Sequence, residues 1–269
     1  MIKIQSDTHF DFHLDSSVKI NSKKLRAKFP EYFETEATSL IISGDIGHHC
    51  TQNVEIFNII RKETNIRDIL VTFGNHEYYN VSNSQKYSFR NIQQKEEYLI
   101  NRYKEAGIHI LNGNMNDVVE LEGKRIWGFP SWYDDCYYNK ATTTSVSSID
   151  SYWRQTMNDS RLIPSLVSFY DMIEFQNSKI KEIPENIDIM VTHVRPFISD
   201  DFMDERYIGD KSNTFYMFDG LDLIEKVNPK IWIYGHTHTF LKYNKFGVEF
   251  ICNPIGYPGE KNERKEILI

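Results

Sequence analysis

Five short segments of this chain carry side chains able to do chemistry together: Asp7-Thr8-His9, Gly44-Asp45, Gly74-Asn75-His76-Glu77, Thr192-His193 and Gly235-His236-Thr237-His238. They offer carboxylate oxygens, an amide oxygen and imidazole nitrogens, without a thiolate among them. That mixture suits borderline divalent ions such as Mn, Fe, Zn or Ni better than Cu(I), which prefers thiolates, or Mg and Ca, which prefer all-oxygen cages. A bound divalent ion lowers the pKa of water from about 16 toward about 7, so a hydroxide can act at neutral pH and no protein nucleophile is needed. A lone Asp-x-His or Gly-Asp is common by chance; the ordered conjunction carries the signal.

Such ligands must be gathered by elements that end where the motifs begin. Ile2 to Gln5, Ser39 to Ser43, Ile69 to Phe73, Ile187 to Val191 and Ile231 to Tyr234 are short apolar runs, and each reads as a strand stopping just before a motif. Asn53 to Glu63 has helical spacing between two of them, which predicts a parallel crossover. Further helices are expected over Phe89 to Ala106, with Gly107 as C-cap, and over Ser165 to Lys181, with Pro184 beyond. Ile108 to Leu111, Val118 to Leu121 and Arg125 to Phe129 read as β pieces separated by turns, predicting a second, more antiparallel portion. Val248 to Cys252 completes the strands. Residues 131–165 are aromatic and hydroxyl-rich with weak periodicity, and are expected to be a variable insertion. Gly44, Gly74 and Gly235 sit at turns expected to need positive φ or close backbone approach. The pattern is that of an α/β protein with a mixed sheet.

Composition narrows the function further. The chain has 269 residues, 40% hydrophobic and 26% charged, enough for a full core, and one domain over 1–269 is expected. A formal charge of −7 lacks the basic excess of a long nucleic-acid binder. Cys50, Cys136 and Cys252 have neither C-x-x-C spacing nor an even count, so a disulfide framework is not expected and a reducing, cytoplasmic setting is. No apolar run reaches the roughly 20 residues that span a bilayer. Removal of a leader would take Asp7 and His9 with it, so the mature protein is expected to begin near Met1.

From residue 7 to residue 238, the motifs, their order and their spacing resemble the calcineurin-like metallophosphoesterase superfamily. Cys252-Asn253-Pro254-Ile255-Gly256-Tyr257 also resembles the Asn-Pro-Arg-Gly-Tyr segment of a bacterial branch, with Ile255 in place of its Arg. The resemblance implies a sandwich of two mixed β-sheets flanked by α-helices. It implies a first metal on Asp7, His9 and His238, a second on Asn75, His193 and His236, and Asp45 bridging both. Two divalent ions then outweigh two carboxylates and a hydroxide, leaving a positive site for a phosphate; a third carboxylate at position 75 would cancel it. His76 is implied as general acid or electrostatic stabiliser on the leaving-group side.

Around that set, Glu77 and Asp11 are expected to bond ligand imidazoles. Arg195 is a candidate for bidentate phosphate contact, with a structural ion pair as the alternative. His48 and His49 are claimed by no motif, and His13 and His109 read as ordinary surface or strand residues. Tyr78, Tyr79, Trp132, Tyr133, Tyr137, Tyr138, Tyr152 and Trp153 either pack or form a wall for a nucleobase. The acidic run Asp200 to Glu205 and the charged stretch Glu260 to Glu266 read as solvated. The expected activity is hydrolysis of a small nucleotide-like phosphodiester. The alternatives are a phosphomonoesterase or phosphoprotein phosphatase, or a non-catalytic protein-binding scaffold.

Overall fold

The computed structural model describes residues 1–14, 19–140, 148–201, 207–260, 262 and 264–269. Strands β1 (Ile2–Gln5), β2 (Ser39–Ser43) and β3 (Asp68–Thr72) are buried at nearly every position, as strands covered on both faces are. With β4 (His109–Ile110) they form a sheet in the order β1-β2-β3-β4, parallel throughout. Strands β5 (Val119–Leu121), β6 (Lys124–Phe129), β7 (Ile189–Thr192), β8 (Ile231–Tyr234), β9 (Leu241–Lys245) and β10 (Val248–Cys252) form the second, ordered β5-β6-β7-β8-β10-β9. Only its outer pairs, β5 with β6 and β9 with β10, are antiparallel. The antiparallel portion expected after residue 108 is therefore confined to hairpins at the two edges, and the 108–111 piece joins the first sheet instead. The reason is connectivity: helix Ile92–Glu105 returns the chain beside β3, where parallel pairing is the short route.

Alternation along each strand divides the core. Ile2, Ile4, Ile41, Leu70, Ile126, Ile189, Val191, Ile233 and Ile251 fill the layer between the sheets, while Leu40, Ile42, Trp232 and Tyr234 turn to the core beneath the helices. Each such side chain contributes about 1.5 to 3 kcal/mol when fully buried. The result is a two-sheet sandwich flanked by helices.

Side-chain caps place the helix starts. Asn91 accepts from the Gln94 N–H at 2.8 Å, so the helix expected from Phe89 begins at Ile92. It ends before Gly107, which takes φ +70° as expected. Ser168 and Asp171 form a capping box that starts helix Phe169–Lys179 later than expected. Helices Cys136–Lys140, Ile149–Thr156 and Asp159–Leu162 occupy the 131–165 region, and residues 141–147 lie outside the described residues. Trp132, Tyr133 and Trp153 are fully buried there, so these aromatics pack and do not form an open wall. Backbone bonds from Ile2 N to Ile269 O and Ile4 N to Ile267 O lay the last residues along β1.

Candidate metal centre

The candidate ligands leave the strands within a few residues of their ends: Asp7 and His9 after β1, Asp45 after β2, Asn75 after β3, His193 after β7, His236 and His238 after β8. Parallel pairing brings these ends to one edge. Asp7, His9, Asp45, His236 and His238 take φ of 47°, 41°, 53°, 68° and 48°, a left-handed conformation that costs a residue with Cβ about 1 to 3 kcal/mol. The glycines divide between the two expected roles. Gly44 has φ +85°, whereas a Cβ at Gly74 would lie 2.2 Å from Asp45 Oδ1 and one at Gly235 would lie 2.7 Å from Asp7 Oδ2.

One donor atom from each of Asp7, His9, Asp45 and His238 lies within 4.8 Å of the others, as do those of Asp45, His193 and His236. Asp45 belongs to both groups: Oδ2 is 3.7 Å from His9 Nε2, and Oδ1 is 3.4 Å from His193 Nε2. Asn75 Oδ1 joins at 3.2 Å from His193 Nε2. All seven expected ligands are thus brought together.

Outer hydrogen bonds decide which nitrogen three of the four imidazoles present. His193 Nδ1 bonds Ser43 O, His236 Nε2 bonds Phe215 O, and His238 Nδ1 bonds Glu260 Oε2, all at 2.9 Å. The opposite nitrogen is left facing inward, the usual device for fixing a ligand tautomer. His238 Nε2 and His9 Nε2 meet at 3.0 Å, and Asp7 Oδ2 is buried with no partner among the described residues, while Oδ1 accepts the His236 N–H. Converging imidazole nitrogens, with Asp7 Oδ1 3.7 Å from His238 Nε2, fit a divalent cation. Burial pushes His236 down to about 3 and His9 well below the usual range, keeping both imidazoles neutral as ligation requires. Burial acts against the charge of Asp45, but His193 and His76 outweigh it and hold the carboxyl well below its usual range.

Two neighbouring carboxylates serve differently than expected. Glu77 bonds no imidazole; Oε2 accepts from the N–H groups of Asp45 and Gly74 at 2.9 and 2.7 Å, and Oε1 from Ile46 and Gly47 at 2.7 and 3.0 Å. The turns after β2 and β3 leave those donors buried without a strand partner, and Glu77 supplies it. Asp11, in the short helix Phe10–His13, bonds Nδ1 of His48 at 2.6 Å, and His48 is not a candidate ligand.

His76 donates its backbone N–H to Asp45 Oδ1 at 3.0 Å. Its ring stacks on His48, centroids 4.7 Å apart, and its Nε2 lies 3.0 Å from the Tyr257 hydroxyl. Burial lowers its pKa to about 4. Tyr257 also stacks on His9 at 4.4 Å. Its position in the Gly-Tyr of the closing segment is the sequence signal for it. Asp159 gave no signal: Oδ1 accepts from Asn75 Nδ2 at 3.0 Å and from the Tyr79 hydroxyl, turning the Asn75 oxygen toward His193. Glu260, expected in a solvated stretch, holds His238.

Arg195 does not join the site. It is 2% exposed, its backbone forms a bridge with Met217, and its guanidinium donates to Ser199 O at 2.6 Å and Asp201 O at 3.4 Å. Among the described residues its partners are these carbonyls and the Met217 sulfur, with no carboxylate paired to it. Residues 202–206 of the acidic run lie outside the described residues. His13 bonds Gly256 O, and His109 is exposed on β4.

The model of the family described as calcineurin-like phosphoesterase matches residues 1–240, and the chain belongs to that family of metal-using hydrolases. It is 26% identical over 279 residues to an uncharacterized protein of Acanthamoeba polyphaga mimivirus, covering 97% of this chain and 93% of that one. Its fold is similar to that of phosphopantetheinyl hydrolase from Mycobacterium tuberculosis, with TM-score 0.67 and 15% identity over 96% of this chain and 89% of that one.

Proposed function

We propose that the protein is a two-metal phosphoesterase acting on a small phosphoester, with a nucleotide-like diester as the preferred form. The observation that carries this reading is Asp45, whose two carboxylate oxygens face different groups of candidate ligands. Asp7, His9 and His238 would hold one cation, Asn75, His193 and His236 a second, with Asp45 giving an oxygen to each. When bound, such cations supply water activation and neutralise charge on phosphoryl oxygens.

The chain's own groups do the rest. Asn75 would ligate without adding a charge, which would keep the site attractive to a phosphate. His76 is the candidate for donating a hydrogen bond to the departing oxygen, and the Tyr257 hydroxyl fixes its ring and offers a route for a proton. With a pKa of about 4, His76 acts as a neutral donor at pH 7 and not as an imidazolium.

The test is the initial rate on bis-p-nitrophenyl phosphate against p-nitrophenyl phosphate, with Mn-loaded and chelator-treated protein in parallel. Metal-dependent cleavage favouring the diester is expected. A tenfold preference for the monoester would move the assignment to a phosphomonoesterase or phosphoprotein phosphatase. Inertness toward both would favour a binding scaffold.

A further inference from the structure

Two aromatic rings at the metal centre keep much of their surface in solvent, Phe12 at 47% and Tyr216 at 37%. Isolated exposed aromatics are ordinary on protein surfaces. These two differ in where they stand, one beside each group of candidate ligands. Phe12 meets the His9 ring edge-on at 5.8 Å and lies 6.1 Å from the His76 ring, with Tyr257 at 4.9 Å and His48 at 5.4 Å around it. Tyr216 lies against the His236 ring at 5.0 Å. Phe12 thus belongs with His9 and His76, and Tyr216 with His236.

Each ring is carried by backbone already tied to the site. Phe12 N donates to His9 O at 2.9 Å, and the preceding Asp11 bonds His48 Nδ1. Phe215, the residue before Tyr216, bonds His236 Nε2 through its carbonyl oxygen. Neighbouring aromatics are engaged otherwise. Tyr79 and Tyr133 are buried with their hydroxyls on Asp159, and the Tyr257 hydroxyl bonds His76. An exposed aromatic ring is a platform on which another planar group stacks, with little regard to what that group's edge carries. A phosphomonoester has one arm to offer such platforms, whereas a diester has one for each.

We propose, on the reading of the metal centre given above, that Phe12 and Tyr216 are the specificity-determining residues of that site. Phe12, beside His76, takes the ring of the leaving alcohol, and Tyr216 takes the ring of the ester arm that stays on phosphorus. The preferred substrates are then diesters with a planar group on each side of the phosphate, as in a short dinucleotide.

The first arm of the test measures binding to Mn-loaded protein by calorimetry, using phosphinates, in which carbon replaces both ester oxygens so that nothing is cleaved. Dibenzylphosphinate is expected to bind tighter than dimethylphosphinate by about tenfold or more. Phe12→Leu and Tyr216→Leu should each cut that preference by about threefold or more, with the affinity for ringless dimethylphosphinate within about twofold of the parent. Phe12→Tyr and Tyr216→Phe, which keep a ring, should keep the preference. A preference near one, or one that neither leucine variant lowers, would overturn the role of the rings; loss in one variant alone would overturn the two-armed substrate. Dimethylphosphinate binding that needs Mn would leave the metal centre standing in those cases, whereas failure of both phosphinates to bind would overturn the metal-centre reading and this one with it. The second arm assigns the rings by turnover. Bis-p-nitrophenyl phosphate and methyl p-nitrophenyl phosphate share a leaving group and differ in the arm retained. Tyr216→Leu should lower kcat/KM by about fivefold or more for the first ester alone, and Phe12→Leu for both. Any other pattern would overturn the assignment of the arms.

Discussion

Glu77 and His76 are neighbours in sequence, yet substituting them should have separable consequences. Glu77 gathers four buried N–H donors from the turns that carry Asp45 and Asn75, and a glutamine would turn its NH₂ toward two of them. Glu77→Gln should therefore cost about 2 kcal/mol or more in chemical denaturation and weaken metal binding as the Asp45 turn loosens. His76→Ala removes no ligand, so metal titration by calorimetry should give the parent affinity while kcat falls at least tenfold; unchanged turnover of a good substrate would remove His76 from the mechanism. The seven candidate ligand positions were legible because ligation restricts residue type and the motifs fix their order. Their supports were not. Ser43 and Phe215 act through backbone carbonyls, which any residue supplies, and Asp159 reaches Asn75 from a region without a motif.

At the level of elements, the strand ends do the positioning. Gly74 is extended at φ −98° and is required for space, not for conformation. Gly74→Ala would drive a Cβ against Asp45 Oδ1, so circular dichroism should be little changed while Mn affinity falls at least tenfold. Parent affinity would show that the Asp45 turn yields without harm. The strands before the motifs could be read because uninterrupted apolar runs of four or five residues leave little choice. Two helices start several residues later than periodicity alone places them, at Ile92 and Phe169, because Asn91 and Ser168 cap them there, whereas the helix expected from Asn53 starts three residues earlier, at Cys50. The sheet that receives β4 depends on where helix Ile92–Glu105 lands, which is a tertiary matter absent from local pattern.

For the molecule as a whole, the two-layer arrangement followed from the family resemblance more than from any stretch of sequence, since buried strands look alike whichever sheet they join. One buried charge makes global stability depend on pH. Burial lowers the pKa of Lys95 to about 8, against roughly 10.4 in an unfolded chain. Below pH 8 both states hold the proton and the folded state bears the full burial cost. Between about 8 and 10.4 only the unfolded state retains it, so this residue makes stability rise with pH across that window, by up to about 3 kcal/mol. In Lys95→Met the rise should disappear, so the difference between the two curves of stability against pH should itself change across that window; parallel curves would place the Lys95 proton in the same state folded and unfolded.

The hydrogen bonds of Ile267 and Ile269 to β1 make the first and last residues neighbours in space. The fold is then topologically close to a ring, and the place where that ring is cut is open to choice. A short linker from 269 to 1, with new ends at the exposed β9–β10 hairpin near Gly247, should give a circular permutant that still assembles all seven ligands and binds Mn like the parent chain.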